Sequence, residues 1–165
     1  MGELMTNVLN RRETFYNLIK NALVGTGNNR YATDSLVVIY DDIQQKATEI
    51  YIELDEDNLL TRSENEGYGM LFEEREQLFT VLLRKRIKIK NDVVTEARNT
   101  VNVELEKMQR CLLQNITFES YQIVVSNNIW NKFDVTDVQI LTTASMLGET
   151  TDVIVMGKIL YTFSN

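Results

Sequence analysis

LFTVLLRKRIKIKND, residues 78–92, is the stretch whose reading decides the fold. Its period is two. Phe79, Val81, Leu83, Ile87 and Ile89 share one side of an extended segment, and Thr80, Leu82, Arg84, Arg86, Lys88 and Lys90 share the other. That alternation is what a half-buried strand requires. Lys85 breaks the apolar side. Asn91 and Asp92 can each cap a following helix, and the period then changes from two to between three and four. Val94, Ala97, Val101, Leu105, Met108 and Leu112 make one apolar stripe over 92–114, with Glu96, Arg98, Asn102, Glu104, Glu106, Lys107 and Arg110 between them. Such a helix is about 34 Å long at ~1.5 Å per residue.

Working outward, residues 4–24 predict a first helix, with Leu4, Val8, Phe15, Leu18, Ile19, Ala22 and Leu23 on its apolar side and Gly25 as its stop. Two short strands are expected at 35–41 and 47–54, joined as a hairpin by 42–46. In the second, Ile50, Ile52 and Leu54 alternate with Glu49, Tyr51 and Glu53. DEDNLLTRSENEGYGMLFEER, 55–75, keeps no sustained period and reads as a long loop, a length that is either functional or disordered in a compact domain. Beyond the second helix, 120–126, 135–143 and 151–163 are rich in β-branched and aromatic residues and read as strands, separated by NNIWNKFD and ASMLGE. The order α-β-β-loop-β-α-β-β-β predicts an α+β fold: a mixed, mainly antiparallel sheet packed on one face by two amphipathic helices. At 165 residues the chain is expected to form a single domain, 1–165.

The chain carries 44% apolar and 25% charged residues, ordinary values for a globular protein, and a net charge of −7, which disfavours general nucleic-acid binding. No apolar run is long enough to cross a bilayer as a helix, and the N-terminal segment does not have the pattern of a signal peptide, so no membrane partner is expected. The absence of histidine removes the commonest general acid–base group and metal ligand. Cys111 stands alone and reads as a buried structural thiol. GTGNN follows a helix instead of opening one, so it is no phosphate loop. DEDNLLT starts like a calcium loop, but Leu59 and Leu60 occupy the positions that need an oxygen ligand and glycine. The carboxylate pairs Asp41/Asp42 and Glu73/Glu74 have no second catalytic group beside them in sequence. The expectation is a protein that is not an enzyme, with no cofactor and no metal.

The five cations between 84 and 90 leave two readings open, a solvated strand face or a surface that meets counter-charge outside its own subunit. Acids for such a contact gather upstream, at Asp41, Asp42, Asp55, Glu56, Asp57, Glu64, Glu66, Glu73 and Glu74. Identical subunits joined head to tail would bring the two charge sets together.

An N-terminal helix, a β-hairpin, the strand QLFTVLLRKRIKI, a helix opening NDVVTEA and closing strands ending GKILYTF together resemble the tail terminator and tail-completion (neck) proteins of tailed bacteriophages. The resemblance spans most of the chain and rests on element order and on the basic-ended strand before an amphipathic helix. It implies a virion structural protein assembled in the host cytoplasm, a homo-oligomeric ring, in that family a hexamer, that caps the tail tube and joins it to the head connector. Arg84, Arg86, Lys88 and Lys90 would then face a neighbouring subunit or the DNA channel. Asp55, Glu56, Asp57, Tyr68, Phe72, Glu73 and Glu74 would belong to the loop that docks onto tube or connector. The alternatives are another head–tail neck protein of the same fold, or a small non-viral binding module whose loop forms a pocket with Tyr68, Phe72 and Trp130.

Overall fold

The computed structural model describes residues 11–26, 30–31, 48–65, 70–86, 93–116, 118, 120–125, 128–147 and 150–164. In chain order these form helix α1 (Arg11–Leu23), strands β1 (Thr48–Asn65) and β2 (Met70–Arg86), helix α2 (Val93–Asn115), and strands β3 (Ser120–Val125), β4 (Asn128–Leu147) and β5 (Thr150–Ser164). The expected strand at 35–41, its turn at 42–46 and the start of the first helix lie outside the described residues, as do Ile87–Lys90.

The five strands make one sheet in the order β1-β2-β5-β4-β3, and each pairing within it is antiparallel. The fold is therefore the α+β arrangement that the periodicities predict. Three boundaries differ. Residues 55–75, expected as a loop, are strand wherever they are described: β1 continues to Asn65 and β2 begins at Met70, so together they form one long hairpin. β4 likewise starts at Asn128, inside the segment NNIWNKFD expected as a separator, and it runs on to Leu147, into the separator expected at ASMLGE.

Register assigns the faces. Phe79, Val81 and Leu83 of β2 stand opposite Gly157, Val155 and Val153 of β5, and opposite Leu54, Ile52 and Ile50 of β1. This row, continued by Ile159, Tyr161, Val135 and Phe133, is the side on which the helices lie. α1 contributes Phe15, Ile19, Ala22 and Leu23, and α2 contributes Val101, Met108, Cys111 and Leu112. The aromatic rings fix how α1 sits: Phe15 lies 5.4 Å from Phe133 and 4.9 Å from Tyr161, in the tilted geometries that ring quadrupoles favour. α1 ends where Gly25 adopts φ 156°, and its N–H donates to the Tyr31 carbonyl at 3.0 Å.

Two acids depart from the amphipathic pattern. Glu49, expected on the wet side of its strand, is 3% exposed and accepts a 2.6 Å hydrogen bond from the Tyr51 hydroxyl. Glu104, on the expected polar side of α2, is buried and accepts from the Tyr31 hydroxyl at 2.9 Å. Lys107 lies 4.1 Å over the same tyrosine ring. Burial and then the Glu104 charge push the Tyr31 phenol up, so its hydroxyl stays a donor. Burial likewise pushes the Cys111 thiol up, which suits the structural role expected of it.

Gly157 occupies the centre of the sheet for a steric reason. A Cβ there would collide with the Phe79 ring directly across the ladder and would stand 3.0 Å from the Gln139 carbonyl oxygen. Gly157→Ala should therefore lower unfolding stability by about 1–3 kcal/mol, as overpacking does in a filled core. Urea unfolding of the purified variant checks this: an unchanged midpoint would mean that the ring has room to move.

Candidate functional site

The hairpin β1–β2 carries every charged residue that the sequence singled out within its described part. It is an irregular hairpin. The register shifts between Leu54 and Asp57, and again between Leu59 and Thr61. At the first bulge the backbone groups freed from the ladder are taken up by side chains: Gln77 Nε2 donates to the Asp55 carbonyl at 3.1 Å and to the Leu78 carbonyl at 2.9 Å. Thr80 Oγ1 donates to Asp55 Oδ2 at 2.7 Å, and Arg12 of α1 donates to the Leu54 carbonyl at 2.9 Å. A cavity of about 750 Å³ opens beside the bulge, rimmed by Glu53, Asp55, Glu56 and Asp57 and floored by Leu54, Phe79 and Met156.

Past the bulge the inward row of β2 turns polar, running Gln77, Arg75, Glu73. These groups are paired into a chain. Arg62 Nη2 and Arg75 Nη1 each donate at 2.8 Å to Glu73, on its Oε1 and Oε2 respectively. Arg75 Nε reaches Asp57 Oδ1 at 3.2 Å, and the Tyr161 hydroxyl donates to Asp57 Oδ2 at 2.6 Å. Arg11 closes the chain onto α1, donating to the Tyr161 hydroxyl at 3.2 Å and lying 4.9 Å over the Phe163 ring. The Glu73 side chain is 6% exposed. Burial alone would raise its carboxyl, but hydrogen bonds and charge from Arg62 and Arg75 hold it below the ordinary carboxylate range. Burial opposes the charge of Arg75 too, and Glu73 and Asp57 overcome that and hold it up. Burial and the bond to Asp57 push the Tyr161 phenol up, so it stays a donor.

The expected docking residues are thus divided between two faces. Asp57 and Glu73 lie in the buried network on the helix side. Phe72 and Glu74 stand exposed on the opposite face, Glu74 accepting from Thr61 at 3.0 Å. Asp55 and Glu56 are the two bulge residues, and Tyr68 lies outside the described residues. Those that are described are strand residues where a loop was expected, paired across the β1–β2 ladder or placed at its first bulge.

The basic stripe is also resolved in part. Arg84 sits on the face away from the helices, directly opposite Glu49 of β1 and Asp152 of β5. One cation of the stripe therefore has acids of its own chain in register beside it. Arg86 closes β2 opposite Thr150, its side chain outside the described part, and Lys88 and Lys90 lie outside the described residues altogether.

The remaining surface of interest is the face of the sheet that the described helices leave uncovered. Leu82 stands opposite Tyr51 on one side and Ile154 on the other; Met156, Leu78 and Leu160 share that face, opposite Thr80, Lys158 and Glu76 respectively. Met156 is 47% exposed. Among the described residues the helices cover the other face. VIVMGKILY held the clue, since three of its four outward positions, Ile154, Met156 and Leu160, are apolar and Lys158 is charged. Among the described residues no three potential metal-ligating side chains come together, and no helix is long and apolar enough to cross a membrane. A scan against protein-family models finds no match, and a search of curated proteins finds no relative.

The network makes the hairpin acid-sensitive with a defined sign. Because Glu73 ionises below the ~4.3 of an unfolded glutamate, its contribution is complete above that value and is lost as pH falls through the lower, folded one. Glu73→Gln should cost about 2 kcal/mol at neutral pH and flatten the fall in urea midpoint below about pH 4; an acid slope as steep as the parent's would assign it to other groups. Arg84→Glu, which sets a carboxylate against Glu49 and Asp152, should cost about 1 kcal/mol in the monomer, read by the same unfolding curve.

Proposed function

We propose that the chain is a non-enzymatic virion structural protein, a ring-forming tail terminator that caps the tail tube and joins it to the head connector. The observation that carries this reading is the one-sided cover of the sheet. Among the described residues two helices bury one face, while Leu78, Leu82, Ile154, Met156 and Leu160 lie on the other, where the Lys158–Glu76 ion pair at 3.5 Å separates Leu160 from the rest. Apolar side chains left on an uncovered face with charge among them have the make-up of a protein–protein contact. The occupant proposed here is a second copy of the chain. Successive copies meeting through unlike surfaces close into a ring when the rotation allows it.

Charge supports the same arrangement. Glu53, Asp55 and Glu56 stand at the first bulge of the hairpin, and Arg84, Lys85 and Arg86 close β2 toward its other end. The bulge lies opposite Leu78, about six residues or roughly 20 Å of strand from Arg84. A head-to-tail neighbour can set one group against the other. The cavity at the bulge favours a second reading, a binding module that takes a small ligand between the acidic rim and the Phe79 floor.

Met156→Lys tests the first reading, because that side chain is exposed in the single chain and its replacement leaves the core intact. The parent protein at micromolar concentration, alone or with tail tubes lacking their terminator, should sediment as a closed oligomer or cap the tubes. The variant should stay monomeric, with a thermal midpoint within about 4 °C of the parent. A parent chain that remains monomeric and leaves tube ends uncapped sinks the ring, and a variant that assembles normally sinks the open face as its contact.

A further inference from the structure

On the helix side of the sheet, away from the open face, lies a second cavity of about 320 Å³. It is walled by α1, by Asn115 at the end of α2 and by Tyr121 of β3. Thr14, Asn17, Leu18 and Asn21 reach it as one stripe of α1, three and four residues apart. Arg30 completes the wall, and among the described residues no carboxylate lines it. The side chains are held in place. Asn115 Nδ2 donates to the Ala22 carbonyl at 3.0 Å, and the Tyr121 ring stacks on Phe133 at 4.7 Å.

The feature that asks for a ligand is the Arg30 guanidinium. Its Nε is buried and has no hydrogen-bond partner among the described residues. A buried donor left unmade is costly, and the wall around this one offers amide, hydroxyl and phenol groups, the set that surrounds a bound anion. We infer that this cavity binds a small oxyanion, a carboxylate or a phosphate monoester group, which takes the Arg30 N–H donors in the bidentate manner of a guanidinium and hydrogen bonds to Asn17, Asn21 and Asn115. A phosphate or carboxylate headgroup fits the volume with room for a few waters. Because the whole chain carries a net charge of −7, the local donors provide the recognition, and the long-range field opposes it. The site is independent of the ring reading, since it lies on the opposite side of the sheet from the open face.

The test is a titration followed by ¹H–¹⁵N correlation spectra of the full chain, at constant ionic strength held with chloride. Inorganic phosphate is the probe in one arm and acetate in the other. The expected result is a saturable shift of the Arg30 Nε–H and of the Asn17, Asn21 and Asn115 side-chain amides in at least one arm, with a Kd of about 1 mM or tighter. The tighter arm identifies the headgroup. Arg30→Gln should weaken it by about tenfold or more. Asn21→Asp, at an exposed helix position where the fold is retained, should do the same by placing a carboxylate at the cavity mouth. No saturable shift with either probe, or shifts that keep their midpoint in Asn21→Asp, overturns the assignment.

Discussion

The pairing of β2 with β5 is the constraint on which the rest of the structure depends. β1 with β2, and β3 with β4 and β5, are each built from neighbouring segments, whereas β2 meets β5 across the whole of α2. Closing that distance costs chain entropy, and it is offset where Phe79, Val81 and Leu83 are buried against Val153, Val155 and Ile159 under the two helices. The register is exacting because a strand's side chains alternate: a slip of one residue would turn Met156 inward and Val155 out. Phe79 opposite Gly157 helps prevent that slip, since a Cβ at that place would meet the ring.

Where the hairpin passes beyond the cover of this hydrocarbon row, its inward side becomes a sequence of alternating charges. Arg62, Glu73, Arg75 and Asp57 satisfy one another and hand the chain of hydrogen bonds to Tyr161 and Arg11. A partly buried ion network is weak evidence for net stability, because desolvation takes back much of the Coulombic gain. Its consequence here is specificity of pairing. Two bulges loosen the register of β1, and each charge in the network finds its partner in the register observed. The bulges have a further effect at the edge of the sheet: together with Glu53, Asp55 and Glu56 they interrupt a long edge strand that would otherwise offer an unbroken row of backbone groups for pairing.

The two candidate surfaces lie on opposite sides of the sheet and ask for different chemistry. The open face presents apolar side chains interrupted by the Lys158–Glu76 pair and is proposed to meet a neighbouring copy. The cavity behind α1 presents amides, hydroxyls and a guanidinium and is assigned to an oxyanion. Occupation of one leaves the other accessible. Arg84 belongs to neither role cleanly, since Glu49 and Asp152 of its own chain stand across from it. The case for a subunit contact therefore rests more on the uncovered apolar side chains than on the cationic stripe that first suggested it.

Read in one dimension, the sequence determined the elements whose period is undisturbed. The stripe Val101, Leu105, Met108 and Leu112 on α2, the alternation of Ile50, Ile52 and Leu54, the two sides of 79–84, and the last strand are all visible in residues two, three or four apart, because local backbone geometry sets those spacings. Residues 55–75 were illegible for the same reason inverted. Two bulges shift the alternation, and the inward positions Arg75 and Glu73 are charged, so a strand looked like a polar loop. The burial of Glu49 and Glu104, the uncovered apolar side chains and the anion cavity were decided by tertiary structure. Each depends on a meeting of distant residues, Tyr31 with Glu104, Asp57 with Tyr161, Leu82 with Ile154, Asn21 with Asn115, and no local period records which remote partner will satisfy a polar group or leave an apolar one uncovered.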